Sequence, residues 1–304
     1  MNDDAIRRID PSDDEWCSGL NELGPHQPPE ALYLQGQRMD PEAPMVAIVG
    51  TRHPTMAGIE AAGAIAKGLA EGGFVVVSGF ARGIDTAAHR AALQAGGRTI
   101  AVLGCGIDVD YPRQNRKLRV ELRANGTFVS EYPEGTEPAP WHFPLRNRIV
   151  AGFCRGIVVV EGGMQSGALV TARLALDADR SVYAVPGSLR NAMAAAPNHL
   201  IKTGRAALVT TFADICDDLA PRFVWPGEQP AQKAECTDNE RKVLNVLDDA
   251  PAAPDRIARA IEMAPGELAL ALAKLEVRGW ATKTRGGYAI SLGGARIRGP
   301  AAAE

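Results

Sequence analysis

Apolar residues along the chain fall into short β-branched runs separated by stretches of helical spacing. Met45–Val49 (MVAIV) is a continuous apolar run that ends at Gly50, the pattern of a strand buried on both faces of a parallel sheet. Ile59–Glu71 follows with helical spacing and stops at Gly72-Gly73, a C-cap signal. The alternation continues. Phe74–Ser78, Thr99–Leu103, Thr127–Ser130, Ile157–Val160, Ser181–Val185 and Ala207–Val209 read as strands. Asp85–Ala95, Gln114–Ala124, Leu145–Cys154 and Ala168–Ala178 read as the helices between them. This rhythm predicts an α/β chain with a Rossmann-like parallel sheet, over residues 41–220, covered on both faces. Ligands of such sheets bind at the carboxyl ends of the strands, and topology alone supplies that location.

A different pattern takes over near the C-terminus. Residues 221–235 form a Pro-containing stretch without periodicity, read as a linker. Thr237, with Glu240 three residues later, predicts a capping box, and Val243, Leu244 and Leu247 give the helix an apolar face. A second short helix contains Ile257, Ala258 and Ile261. A third runs from Pro265 through Leu268, Leu272 and Leu275 to Gly279. Trp280–Ile290, with Gly286-Gly287 at its centre, reads as a hairpin wing. Three helices and a hairpin over residues 236–292 suggest a small C-terminal winged-helix domain. Its third helix carries Glu267, Lys274, Glu276 and Arg278, no net charge, which favours protein contact or weak duplex binding over sequence-specific reading. Lys283 and Arg285 of the wing offer some phosphate contact. Residues 293–304 read as a disordered tail.

Charge sharpens the picture. The chain of 304 residues has a net charge of −3, unevenly spread. Residues 1–44 hold 3 basic against 10 acidic side chains, so residues 1–40 read as an acidic extension. Residues 45–234 hold 20 basic against 16 acidic ones, and 16 of the 20 are Arg, the side chain suited to forked phosphate contacts. The five cysteines are scattered with no CxxC, which argues against a zinc ribbon or a disulfide framework. The N-terminus lacks the apolar stretch of a signal peptide and no apolar run reaches membrane-spanning length. A cytoplasmic chain with no membrane association is expected.

The strand ends carry the informative residues. They read Gly50-Thr51-Arg52, then Ser78-Gly79-Phe80-Ala81-Arg82-Gly83-Ile84-Asp85, then Gly104-Cys105-Gly106 with Tyr111-Pro112 beyond. Glu131-Tyr132-Pro133, Glu161 through Gly167, and Pro186-Gly187-Ser188 complete the rim. Glycines there let a backbone approach a ligand, and helix N-termini favour anions. Five such loops, two with Arg, point to a phosphate-bearing ligand. The loop after the first strand does not match GxGxxG, Gly104-Cys105-Gly106 has Val109 where a third Gly belongs, and GxxxxGK[ST] is absent. Neither a dinucleotide cofactor nor P-loop chemistry is supported, and no cofactor or metal is expected. No HExxH or GxSxG stands in the chain. His89 lies i,i+4 from Asp85, a spacing that suits a structural hydrogen bond better than a general base. Glu161 at a strand end suits a loop-holding role better than catalysis.

The densest cluster is Trp141-His142-Phe143-Pro144-Leu145-Arg146-Asn147-Arg148. Aromatic faces stack on unpaired bases while Arg holds phosphates. The alternative is that Trp141 and Phe143 are core or hinge residues. Pro144 suits the first helical position, which would put Arg146 and Arg148 in the first turn.

GTR at 50–52, SGFARGIDTAAH at 78–89, TIAVLGCGIDVDYP at 99–112, SEYP at 130–133, FPLRNRIVAG at 143–152, VVVEGGMQSGALVTA at 158–172, AVPG at 184–187 and NHLIKTG at 198–204 stand in order. Together they resemble the DNA-processing protein A family, also called Smf, over about residues 28–215. The resemblance implies an extended Rossmann fold, single-stranded DNA binding, a homodimer, loading of the recombinase RecA, protection of incoming DNA in natural transformation, and no enzymatic activity. It assigns DNA contact to Arg52, Ser78, Gly79, Arg82, Gly83, Phe143, Arg146, Asn147, Arg148, Ser166, Gly167 and Lys202. Arg52, Arg82 and Lys202 would meet phosphates, Phe143 would stack on bases or wedge between them, and the Ser78-Gly79 and Ser166-Gly167 backbones would approach phosphate or sugar. Ala196-Pro197 and Arg205 depart from the family pattern at the edge of that pocket. The N-terminal helical-hairpin domain of many members is expected to be missing or vestigial. A competing reading is a nucleotide-processing enzyme resembling the cytokinin-activating phosphoribohydrolases, which carry PGGxGTxxE. Here the stretch from Glu161 to Leu169 starts with Glu and lacks the later carboxylate.

Overall fold

The computed structural model describes residues 5–219 and 236–290, apart from residues 249, 279 and 285. The expected linker at 221–235, the tail at 293–304, the helix end at Gly279 and the wing residue Arg285 lie outside the described residues. The chain divides into two units, Met1–Phe223 and Val224–Glu304.

The larger unit is built on one nine-stranded sheet. Its strands are β1 (Arg7–Ile9), β2 (Leu32–Gly36), β3 (Met45–Val49), β4 (Val75–Ser78), β5 (Thr99–Leu103), β6 (Thr127–Ser130), β7 (Gly156–Val159), β8 (Ser181–Ala184) and β9 (Ala207–Leu208). The order is β1-β2-β6-β5-β4-β3-β7-β8-β9. The seven strands from β6 to β9 pair in parallel, while β1 and β2 join antiparallel at the β6 edge. The sequence order reverses at β3, where β4 lies on one side and β7 on the other. That is the crevice where such sheets bind ligands. Helices α1 (Met56–Glu71), α2 (Ile84–Gln94), α3 (Arg116–Asn125), α4 (His142–Phe153), α5 (Gly167–Asp177), α6 (Ala195–Lys202) and α7 (Phe212–Leu219) complete the unit. Every residue of β3 is buried, as its unbroken apolar run requires. Helices α4 and α5 pack together over a core that includes Met45, Val77, Ile149, Val150 and Ala172. Leu118 and Leu122 of α3 pack with Phe80, Leu103 and Phe128 in a second cluster.

The acidic N-terminal segment belongs to this sheet. Ile9, Leu32 and Leu34 are buried in its core, and the carboxylate of Glu15 is held by Arg7, Arg38 and the Met39 amide. The surplus of acidic side chains concealed these strands from composition, because a single buried carboxylate organises two of the segment's three arginines.

Two helix starts also differ from expectation. Helix α4 begins at His142, so Pro144 is its third residue, and Arg146 and Arg148 fall in the second turn. Helix α6, unforeseen from sequence, carries Pro197 at its third residue. The first four N–H groups of a helix have no intrahelical acceptor, so proline is accommodated there. Among the described residues no helix is long and apolar enough to cross a membrane.

The smaller unit packs α8 (Asp238–Val246), α9 (Pro254–Ala260) and α10 (Pro265–Val277) against a hairpin of β10 (Ala281–Thr284) and β11 (Gly287–Ile290). Val243, Leu244, Ile257, Leu268, Leu272 and Leu275 form its core. The capping box at Thr237 is present, and the buried Glu240 that closes it also pairs with Arg278 at 3.0 Å. This is a winged helix. Arg278 is turned to Glu240 and lies over the Trp280 ring, which leaves α10 fewer free cations than its sequence suggests.

Candidate nucleic-acid interface

Each of the loops at the carboxyl edge is held by its neighbours. The Thr51 amide donates to the Glu161 carbonyl at 2.7 Å, and the Ile84 amide donates to the Thr51 carbonyl at 3.3 Å. The Glu161 carboxylate accepts from the Thr55 amide, the Thr55 hydroxyl and Asn191. It is buried and fully engaged in holding the loop before α1 to the loop after β8. Gly83 has φ +84°, and a Cβ there would sit 2.9 Å from the backbone carbonyl carbon of Arg52. Only glycine lets the Arg82 loop pack this closely on the Arg52 loop.

Two adjoining clefts of about 650 and 210 Å3 open on this rim. Arg52, Gly79, Tyr111, Phe143 and Arg146 border both. Arg82 borders the smaller, while Asn147, Ser166 and Gly167 border the larger. The Arg52 guanidinium lies 5.2 Å from the centre of the Phe143 ring, and the Tyr111 ring centre is 5.7 Å from it. A Cβ at Gly104 would stand 2.8 Å from that ring, so the glycine admits Phe143 to its place. Arg52 and Arg82 are exposed, and among the described residues neither has a carboxylate partner. They present two free cations beside an aromatic face. Ser166 caps α5 at the edge of the larger cleft, where its buried Oγ has no partner among the described residues. Gly167 beside it leaves open space where a side chain would stand.

Other expected contacts point elsewhere. The Ser78 hydroxyl is buried and donates to the Ile48 carbonyl at 2.6 Å. The Gly79 amide donates to Asp85 at 3.1 Å, and its carbonyl accepts from Arg146 at 2.7 Å. Both polar groups of Gly79 therefore face inward. Arg146 is itself buried, bonded to the Gly79 and Val102 carbonyls. It forms the floor of the clefts. Arg148 is paired with Glu131 at 3.0 Å. Ser78, Gly83, Arg148 and Lys202 border neither cleft; Lys202 is exposed at the end of α6. Tyr111, which walls both clefts, was visible in sequence only as part of the third strand-end loop.

The floor is an electrostatic strut. Burial lowers the Arg146 guanidinium to about 10, which leaves it charged at neutral pH, and Asp85 opposes that shift. Burial pushes the Asp85 carboxyl up, while Arg146 and the amides of Ala81 and Gly79 pull it down. Asp85 thus fastens the start of the Arg82 loop, and it does so without His89. His89 instead shares a 2.7 Å hydrogen bond with Thr99. Burial, then Arg146, lowers the imidazole to about 3. The folded chain therefore keeps His89 neutral through a range where an unfolded His takes up a proton. Folding stability is expected to fall as pH drops from about 6.5 toward about 3. Melting temperatures of the parent and His89→Gln across that range check this: the parent should lose more than the variant on acidification.

Residues 7–220 match the family model described as DNA recombination-mediator protein A, and residues 227–287 match the DprA winged helix domain. The chain is 43% identical to DNA processing protein DprA of Streptococcus pneumoniae, over 67% of this chain and 71% of that protein. It is 37% identical to Protein Smf of Escherichia coli, over 86% of this chain and 71% of that protein. The X-ray structure of the Streptococcus pneumoniae protein is similar with a TM-score of 0.66 and 40% identity, covering 70% of this chain and 74% of the other. DNA processing protein A from Helicobacter pylori, described for its single-stranded DNA binding mode, is similar with a TM-score of 0.64 and 27% identity. That match covers 73% of this chain and 100% of the other.

Proposed function

This chain belongs to the DNA recombination-mediator protein A family, and from that premise we propose that its rim grips single-stranded DNA and performs no bond-making chemistry. Its role is that of a DNA-processing recombination mediator. The observation that carries the proposal is the juxtaposition of Arg52 and Arg82, without a carboxylate partner among the described residues, with the Phe143 ring at the reversal point of the sheet. Two cations reach for phosphates of a backbone that has no partner strand, and the ring takes a base face. Asn147, Ser166 and Gly167 extend the contact along the larger cleft. Arg146 and Gly79 act beneath it as its floor, Gly83 sets the loop, and Lys202 meets the strand beyond the clefts.

The absence of catalysis is supported by how the carboxylates are used. Asp85, which borders the larger cleft, and Glu161, at the end of β7, are both committed to loop amides and side chains. Incubation with nucleoside monophosphates is expected to release no free base; measured release would place an enzyme at the rim.

Loading of RecA, protection of incoming DNA and homodimer formation complete the reading. The apolar residues from Leu208 to Leu219 are the candidate surface for self-association. Within it Ile215 and Cys216 are buried and α7 packs on α1, leaving Leu208 exposed.

A further inference from the structure

We propose that Trp141 is a second stacking platform for an unpaired base, so that the bound strand runs from the Arg52–Phe143 pair out over the start of α4. The inference rests on the reading of the rim as a single-stranded DNA site. It adds a residue and a direction to it.

Trp141 is 66% exposed, an unusual state for the largest apolar side chain. Its surroundings are built. Pro140 and Phe143, close to it on either side in sequence, both wall the larger cleft, so the chain carries Trp141 past that wall. The next residue, His142, is pinned three ways. Its amide donates to the Ala139 carbonyl at 3.0 Å, its ring stacks on Tyr132 with centres 4.1 Å apart, and its Nδ1 lies 3.2 Å from the Gly104 carbonyl. The indole meets this fixed imidazole at 5.8 Å and 81°, an edge contact. One side of the indole is thus braced while a large part of it faces solvent. A preorganised aromatic face costs little ordering on binding.

The charges nearby favour a base over a phosphate at this point. Arg148 is neutralised by Glu131, and the loop between β6 and α4 also carries Glu134 and Glu137. Phosphates belong to Arg52 and Arg82, and what reaches Trp141 is a base face. Stacking is tolerant of base identity because every base offers a π-face.

The test uses the full chain, oligothymidylate, and an abasic strand of equal length, with melting temperature as the fold control. Trp141→Ala is expected to weaken oligothymidylate binding about 30-fold, the middle of the range for one lost base stack. Trp141→Phe should restore most of the affinity. The slope of log affinity on log salt should stay unchanged, since no phosphate contact is lost. On the abasic strand the alanine variant should bind like its parent. Parent affinity of Trp141→Ala for oligothymidylate would overturn the proposal and leave the exposed Trp141 and Leu145 as a protein-contact patch. An equal loss on both strands would overturn stacking. If the parent chain itself ignored oligothymidylate, the reading of the rim would fail first.

Discussion

Replacing Arg52 and Arg82 together with alanine is expected to cost roughly 25-fold in single-stranded DNA affinity at about 0.1 M salt, with the fold unchanged. Each phosphate contact on a single strand contributes about 0.7 to the slope of log affinity on log salt. Losing two lowers the slope by about 1.4, which over the decade from about 1 M to about 0.1 M is roughly 25-fold. Loss of the cation above the Phe143 ring can add to this, since Arg52 then no longer braces the aromatic face. The melting temperature should hold, because both side chains are exposed and neither has a carboxylate partner among the described residues. Salt titrations of parent and double variant, read alongside melting curves, check the result. Parent affinity in a folded double variant would mean that the strand lies elsewhere.

Arg146→Met is expected to do the opposite, lowering stability first and DNA affinity only through it. Removing the guanidinium leaves the Asp85 carboxylate buried without its cation and strips the donor from the Gly79 and Val102 carbonyls. Breaking a buried pair from one side costs about 3–5 kcal/mol. The Asp85→Asn, Arg146→Met double variant should lose less than the sum of the single losses, because the orphaned charge is then gone. Residues in one hydrogen-bond network, as these two are through Gly79, couple by about 0.5–3 kcal/mol. Denaturant unfolding of the three variants measures it. Strict additivity would show that the two groups do not act as a pair. A salt slope lowered by Arg146→Met in a fully folded protein would show that Arg146 touches phosphate after all.

The two predictions separate two kinds of arginine that look alike in sequence. The place of Arg52 and Arg82 on the rim was legible, because they follow apolar runs that form buried strands, and topology puts ligands at strand ends. Arg146, one of the DNA-contacting residues that the family resemblance implies, is buried instead. Its neighbours three, four and seven residues on, Ile149, Val150 and Phe153, are all buried, and that spacing places Arg146 on the same inward face of α4. The opposite charge that makes its burial tolerable, Asp85, is 61 residues away in sequence and no local pattern connects them. The strand bounds of β3, β5 and β6 agree with the sequence reading, the first two because apolar runs of five and four residues mark them. Strands β1 and β2 did not, because they are short, are interrupted by polar residues and are stabilised by the long-range bonds of Glu15. Helix α6 was hidden by a proline in its first turn.

The central claim is that an open cationic rim holds unpaired DNA by its backbone, and one titration tests it most directly. Single-stranded and duplex oligonucleotides of the same sequence are bound to the full chain across a salt series. The account predicts tighter binding of the single strand at every salt concentration, with log affinity falling linearly in log salt. Equal affinity for the duplex, or single-strand binding indifferent to salt, would contradict it.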